Sequence, residues 1–366
     1  MKALVVGGTG PTGHFIVNGL RTRGYEVTIL HRGQHEIPEI PADVEHVHAD
    51  AYSGEAVHQA LSQRRFDVSV VTYGRLRAIA EFLVGRTGRL LSIGGVPAYR
   101  GYMNPALYDP VGMPLPIRED APLVTSPDED EKGWRIVRTE QAVFQHHPEA
   151  THFRYPYVYG PYQLVPREWC IVRRILDGRP FIILPEDGLT LHHYGYAENL
   201  AHAVLLAVDA PDASRGEIFN CGDEHVLTLR QVVEIVAHSL DAELEIVSLP
   251  WQLAAPARPL IAMPWTTHRV LDLSKLKLRL GYRDALAPAL ALARTARWLA
   301  QHPPAPDGAE ERVLQDPFDY AAEDSLVADW RKLLSQAPRA VFEREPGYTL
   351  SYSGPGGRSR SQPSFE

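Results

Sequence analysis

The chain has 366 residues, of which 45% are hydrophobic and 22% charged, with a formal net charge of −8. This length and balance exclude a disulfide-stapled peptide or a fibrous chain and describe a folded protein of one large or two modest domains. The excess of acid weighs against nonspecific nucleic-acid binding, which rests on lysine and arginine neutralising phosphates.

Taken in chain order, MKALVV runs directly into a strand over 3–6 with no signal peptide before it. A glycine-rich turn follows. An amphipathic helix is predicted over 13–23, with Phe15, Ile16 and Leu20 inward, and EVTIL (26–30) reads as a second strand. VEHVH (44–48), DVSVVT (67–72) and RLLSI (89–93) read as strands three to five, with a helix over 76–84. A long Pro/Tyr/Asp/Gly-rich loop occupies 97–132, a helix 134–146, and THFRY (151–155) is a sixth strand. Strands alternating with helices imply a mostly parallel sheet with right-handed crossovers. The second half mixes short strands at 181–184, 217–220 and 243–247 with helices near 197–207, 228–240 and 285–300. After a Pro-rich join, DPFDYAAEDSLVADWRKLL reads as helix, and SGPGGRSRSQPSFE at the end has a disordered composition. The expected class is α/β: a Rossmann-type doubly wound parallel sheet over 1–160, a smaller, partly interleaved substrate-side domain over 161–302, and an extension over 303–366. No internal repeat is visible.

Two cysteines, Cys170 and Cys221, are expected as free thiols in a reducing compartment. No Cys/His cluster has zinc-ligand spacing, so no metal is expected. No apolar run approaches the ~20 residues that span a bilayer, and a cytoplasmic protein is expected.

The chemistry concentrates in VVGGTGPTGHFIV (5–17). Gly7, Gly10 and Gly13 stand directly after a strand and open a helix. The first permits a tight turn, the second a close approach of a pyrophosphate, and the third close packing of helix on strand. Pro11 and Thr12 complete the loop, and the helix N-terminus supplies N–H groups to the phosphates. At the end of strand two stand His31 and Arg32, where an acidic residue would select the ribose 2′-OH of NAD. Without a carboxylate there, Arg32 is expected to pair with the 2′-phosphate of NADP, which is preferred over NAD. Asp50, after strand three, is placed to accept from the adenine amine.

With these residues in place, later segments carry a resemblance. FRYPYVYGP (153–161), LTLHHYGYAENLAHAVLLAV (189–208), GEIFNCGDEHVLTLRQVVEIV (216–236) and LDLSKLKLRLGY (271–282) resemble, in order, the extended short-chain dehydrogenases/reductases, the NAD-dependent epimerase/dehydratase family. The likeness covers about 1–300. It implies a Rossmann domain with an interleaved C-terminal substrate domain, and epimerisation, dehydration or reduction, often on nucleotide sugars. It places Tyr155 near the nicotinamide, and homodimers are frequent among such relatives; Thr72, at the end of strand four, is expected to bind the cofactor.

The family's acid/base chemistry uses a Tyr-x-x-x-Lys pair and a serine. None of the five lysines here (Lys2, Lys132, Lys275, Lys277 and Lys332) has a tyrosine four residues before it. On the resembling helix, GWRIVRTEQAVF, Trp134 falls at the tyrosine position and Arg138 at the lysine position. The serine position falls at or near Gly95, and Ser92 lies earlier on that strand. In this loss the chain is similar to the branch containing plastid RNA-associated proteins and isoflavone-reductase-like enzymes. Tryptophan cannot shuttle a proton, while Arg138 can still hold the ribose or a phosphate.

Candidate replacements are the tyrosines expected at the carboxyl ends of the strands: Tyr73, Tyr102 and Tyr157 as acids, with Tyr99, Trp134 and His193 contacting substrate. The function expected is an NAD(P)-binding, epimerase/dehydratase-like oxidoreductase acting on a small molecule with non-standard acid/base groups. The alternatives are a non-redox lyase or isomerase with a structural nucleotide, or a non-catalytic NADP-binding sensor or RNA-associated protein. No membrane partner is expected, nucleic acid is disfavoured, and a homodimer is expected.

Overall fold

A computed structural model describes residues 1–261, 265–338, 340–344 and 346. The terminal segment expected to lack order, 353–366, lies outside the described residues. The first half runs β1 (Lys2–Val6), α1 (Gly13–Thr22), β2 (Glu26–His31), β3 (Glu45–His48), α2 (Gly54–Leu61), β4 (Phe66–Val71), α3 (Leu76–Leu83), β5 (Thr87–Gly95), α4 (Glu131–His146) and β6 (Thr151–Tyr155). It continues through β7 (Tyr157–Tyr159), α5 (Trp169–Leu176), β8 (Phe181–Pro185), β9 (Tyr194–Tyr196), α6 (Ala197–Asp209), α7 (Pro211–Ser214), β10 (Ile218–Asn220), α8 (Leu229–Ser239) and β11 (Glu245–Leu249). Then come α9 (Arg258–Ile261), α10 (Ser274–Leu280), α11 (Pro288–Gln301), α12 (Ala309–Arg312) and α13 (Tyr320–Gln336).

Seven strands form one sheet in the order β10-β6-β5-β4-β1-β2-β3, and every pairing in it is parallel. Strand order reverses between β1 and β4, the place where an open α/β sheet leaves a crevice at its carboxyl edge. Alternation along β1 explains its uninterrupted apolar run. Ala3 and Val5 face a core with Ile16, Val17 and Leu20 of α1 and Leu200 and Val204 of α6. Leu4 and Val6 face the opposite core with Val57 of α2, Ile79 of α3 and Val143 of α4. This is the doubly wound α/β sheet expected from the sequence.

A second core forms where α5, α8 and α11 enclose β8, through Ile171, Val172, Leu184, Val233, Val236 and Leu292. β8 pairs in parallel with β11, and α8 opens on a capping box in which Thr228 Oγ1 accepts from Gln231 N at 3.1 Å. The strand expected at 217–220 joins the main sheet instead of this lobe. Beside β6 its Phe219 stacks on Phe153 at 6.0 Å, a contact the lobe does not offer. The helices α2 and α5 were not read from the sequence, and the strand read at 243–247 forms two residues later.

The chain divides into two compact units, Met1–Phe318 and Asp319–Glu366. In the first, residues beyond the Pro-rich join are tied to α5: Trp169 Nε1 donates to Glu311 at 3.0 Å, and buried Arg174 pairs with Asp316 at 2.7 Å. The second contains α13, whose first turn is capped by Asp319 accepting from Ala322 N at 3.1 Å.

Candidate active site

The glycine turn is shaped by its own backbone. Gly7 has φ of 98°, and a Cβ there would lie 2.2 Å from Thr72 Oγ1. A Cβ on Gly13 would lie 2.3 Å from the Gly7 carbonyl oxygen, so only glycine lets α1 begin this close to β1. Gly10 differs, because nothing approaches its Cβ direction more closely than the Gly7 oxygen at 3.7 Å. The outer face of the turn is therefore bare backbone, the cradle a pyrophosphate requires. The Thr12 side chain makes no cap on α1, so the N-terminal N–H groups of the helix are not taken up by it. Thr72 donates to the Val6 carbonyl at 2.8 Å and locks the end of β4 to that of β1. These residues fit a dinucleotide.

On the β2 side of the turn, Arg32 is exposed, and Asp50 accepts from Tyr52 N at 3.0 Å. The Tyr73 ring lies 6.0 Å from Tyr52, in the electrostatic field of Arg32 and Asp50, and burial raises its pKa. Tyr73 thus stands among groups at the end of β2, while Tyr102 and Tyr157 gather elsewhere. The sequence reading placed no carboxylate at the end of β2, and the structure corrects this. The β2–β3 loop folds back so that Glu36 reaches His31 at 3.5 Å, His46 at 3.1 Å and His48 at 3.4 Å. Burial lowers the pKa of His31.

Beyond β6, β7 and β9 pair in parallel and set Tyr157 opposite Tyr194, with ring centroids 6.0 Å apart. Arg167 Nη2 donates to the Tyr157 oxygen at 2.7 Å, and its guanidinium lies 4.5 Å from that ring's centroid. Arg269, almost wholly buried, donates from Nε to the Tyr102 carbonyl at 2.7 Å and from Nη1 to His192 Nε2 at 3.1 Å. Arg167 Nε and Arg269 Nη2 are buried without a hydrogen-bond partner among the described residues. Burial, reinforced by Arg269, drives His192 down to about 3, so it is neutral at physiological pH.

A cleft in this region is lined by Tyr159, Arg167, His192, Tyr194, Asp223 and His225. Burial pushes the Asp223 carboxyl up to about 7, against the pull of donors from Asn199, Tyr196 N and Tyr159. On α4, Trp134 and exposed Arg138 lie one turn apart, with the guanidinium 5.5 Å from the indole centroid.

Other candidates are internal. Tyr99 is fully buried, donates to Asn220 at 2.6 Å and lies under Arg154, 4.7 Å from its ring centroid. The Tyr155 hydroxyl turns toward α6 and donates to the Leu200 carbonyl at 3.2 Å. His193 is buried with both ring nitrogens engaged: Nε2 with the Asp223 carbonyl at 2.7 Å, and Nδ1 accepting from Leu271 N at 3.1 Å. Ser92, His152 and Glu140 line up at 2.8 and 3.5 Å like a hydrolytic triad. All three are buried and Glu140 holds both ends of the Arg154 fork, so they brace β5, β6 and α4.

Sequence reasoning missed Arg167 and Arg269, which no local spacing singles out. It also missed the Glu36 group. The alternation His46-x-His48 on a strand was its one visible sign, since residues two apart share a face.

A model of the NAD dependent epimerase/dehydratase family matches residues 138–222. The chain is 31% identical over 230 residues to a 3-diazoavenalumate denitrifying reductase from Streptomyces sp, covering 57% of this chain and 73% of that protein. It is 28% identical over 240 residues to the chloroplast stem-loop binding protein of 41 kDa b from Arabidopsis thaliana, covering 62% of this chain and 60% of that one. Among solved structures, the UDP-glucose 4-epimerase of Thermotoga maritima superposes with a TM-score of 0.65 at 18% identity over 82% of this chain and 99% of its own. A dTDP-glucose 4,6-dehydratase of Bacillus anthracis in complex with NAD gives 0.62 at 18% identity over 83% and 97%. The two structures share the fold, and the sequence matches carry the lineage: the chain belongs to the NAD-dependent epimerase/dehydratase family.

Proposed function

We propose that this protein is a nicotinamide-dinucleotide-dependent enzyme, an oxidoreductase or epimerase/dehydratase-like catalyst acting on a small molecule rich in hydrogen-bond acceptors. Gly7, Gly10, Pro11, Thr12 and Gly13 would hold the pyrophosphate. Arg32 and Asp50 would hold the adenosine end, with NADP preferred through Arg32, while the buried His31 ring turns toward His46 and Glu36. Thr72 and Arg138 would border the nicotinamide side, whereas the Tyr155 ring is turned into the core against α6. When bound, such a cofactor supplies a site that gives or takes a hydride.

The observation that carries the reading is the Tyr157–Arg167 pair. Because the Tyr157 oxygen accepts from the guanidinium, its own hydroxyl hydrogen is left to donate to a substrate oxygen. Negative charge remaining on the phenol oxygen after proton transfer would lie against a fixed cation. The partnerless Nε of Arg167, a residue that lines the cleft, favours a carbonyl or carboxylate on the ligand, because buried donors of this kind are ordinarily satisfied. Tyr102, read from the sequence as an acid, is buried in a core with Tyr99 and Met113 and does not line the cleft; we assign Trp134 to an aromatic wall and Tyr73 to the adenosine side. The reductase named among the relatives agrees with a redox role.

Replacing Tyr157 by Phe removes the donor and leaves the ring. Turnover of a substrate identified by screening carbonyl compounds with NADPH should fall by roughly 100-fold or more, with dinucleotide affinity unchanged. Wild-type turnover in this variant would refute the assignment. The stem-loop-binding relative favours a second reading, an RNA-associated protein, which the net charge of −8 opposes. Salt-sensitive RNA binding without dinucleotide binding would support it.

A further inference from the structure

The strongest group outside the proposed catalytic cleft lies at the edge of the sheet. His31 ends β2. His46 and His48 alternate along β3 and so share a face, and the parallel register sets His48 directly beside His31. Glu36 returns from the loop between these strands. One ligand atom from each of the four lies within 4.8 Å of the other three.

The separations are those of a coordination sphere. His31 Nε2 lies 3.1 Å from His46 Nδ1 and 3.5 Å from Glu36 Oε1; Glu36 Oε1 lies 3.4 Å from His48 Nε2, and its other oxygen, Oε2, lies 3.1 Å from His46 Nδ1. Four donors arranged tetrahedrally at zinc bond lengths stand about 3.3 Å apart. The three rings are also steeply inclined to one another, at 70°, 89° and 89°, so they meet edge to face and do not stack.

We propose that His31, Glu36, His46 and His48 form a binding site for a divalent transition metal of the zinc class. Three imidazoles and one carboxylate suit a borderline ion such as Zn²⁺ or Co²⁺ and suit Mg²⁺ or Ca²⁺ poorly, since those ions take oxygen ligands. Four protein ligands close the sphere, so the site is structural: it clips the 32–44 loop to the sheet edge beside Arg32. His46 binds through Nδ1 and His48 through Nε2. The Gly33 N–H now contacts His31 Nδ1 at 3.3 Å, so His31 joins as a ligand by moving its proton from Nε2 to Nδ1 and giving up that long contact. Glu36 enters as the carboxylate and cancels one of the two positive charges.

The proposal does not rest on the dinucleotide reading, and neither cofactor nor substrate enters its test. Chelator-treated full-length protein is titrated with Co²⁺, followed by visible absorption, and with Zn²⁺, followed by calorimetry. One ion per chain should bind, with the intense visible bands of tetrahedral Co²⁺, and Zn²⁺ should displace it. His46→Ala/His48→Ala should weaken Zn²⁺ by at least about 100-fold. Glu36→Gln, which keeps the loop's size, should weaken it to a lesser degree and lower the intensity of the Co²⁺ bands. Circular dichroism reports whether each variant is folded. Absence of saturable binding to the wild type, or equal binding by wild type and a folded Glu36→Gln protein, would overturn the site.

Discussion

Arg32 and Glu36 set the cofactor question in competing terms. A 2′-phosphate gains a charge-assisted contact from Arg32, and Glu36 lies close enough to the end of β2 to oppose it. If the arginine wins, Arg32→Ala should weaken NADPH by roughly 10- to 100-fold, the equivalent of about 1.5–3 kcal/mol for a charged hydrogen bond, and leave NADH little changed. Fluorescence titration of both nucleotides checks this, and equal losses would remove the 2′-phosphate from Arg32. Single residues were unevenly legible in the sequence. The glycines were readable because their spacing is local and steric. Tyr157 was readable as a tyrosine at a strand end, but its partner Arg167, ten residues on, was not. Tyr99 and His193 read as substrate contacts, yet each hydroxyl or ring nitrogen is used inside the protein. No spacing rule distinguishes an aromatic that points into a cleft from one turned away from it.

At the scale of elements, β1, the turn and α1 form one device. The Gly13 contact is backbone on backbone, 2.3 Å from the Gly7 oxygen to a prospective Cβ, and no flexible side chain can yield. Gly13→Ala should therefore lower the melting temperature by several degrees, since forced overpacking costs about 1–3 kcal/mol. It should also abolish dinucleotide binding, because α1 must move off the turn. Calorimetry with and without nucleotide measures both, and an unshifted melting temperature would contradict the packing argument. The long strands and amphipathic helices were legible because burial on two faces and a period of 3.6 leave strong marks. The three-residue strands β7 and β9 carry no periodic signal, and the placement of β10 beside β6 depends on the Phe153–Phe219 contact, a pairing remote in sequence.

Across the whole molecule, buried titratable groups tie stability to pH. Burial lowers His152 to about 4, His192 to about 3 and His193 to about 4, whereas an unfolded histidine titrates near 6.5. Between those values the unfolded chain binds more protons, so these three groups remove stability as pH falls from about 6.5 toward 4. Asp223, raised to about 7 from 3.8, acts in the opposite sense, because the folded state keeps a proton that the unfolded chain has released. Burial also lowers His14, His31, His147 and His202 and raises Glu119, Glu168 and Asp284. Because the lowered histidines outnumber the raised carboxyls, denaturation midpoints should fall as pH drops below 6.5, and a flat or rising profile would show that the histidines are not held neutral. The central claim, that this fold carries a nicotinamide dinucleotide on its glycine turn, is tested most directly by titrating the purified wild-type protein with NADPH and NADH while recording nicotinamide fluorescence. Saturable binding of one nucleotide per chain, tighter for NADPH, is the predicted result; binding of neither would contradict it.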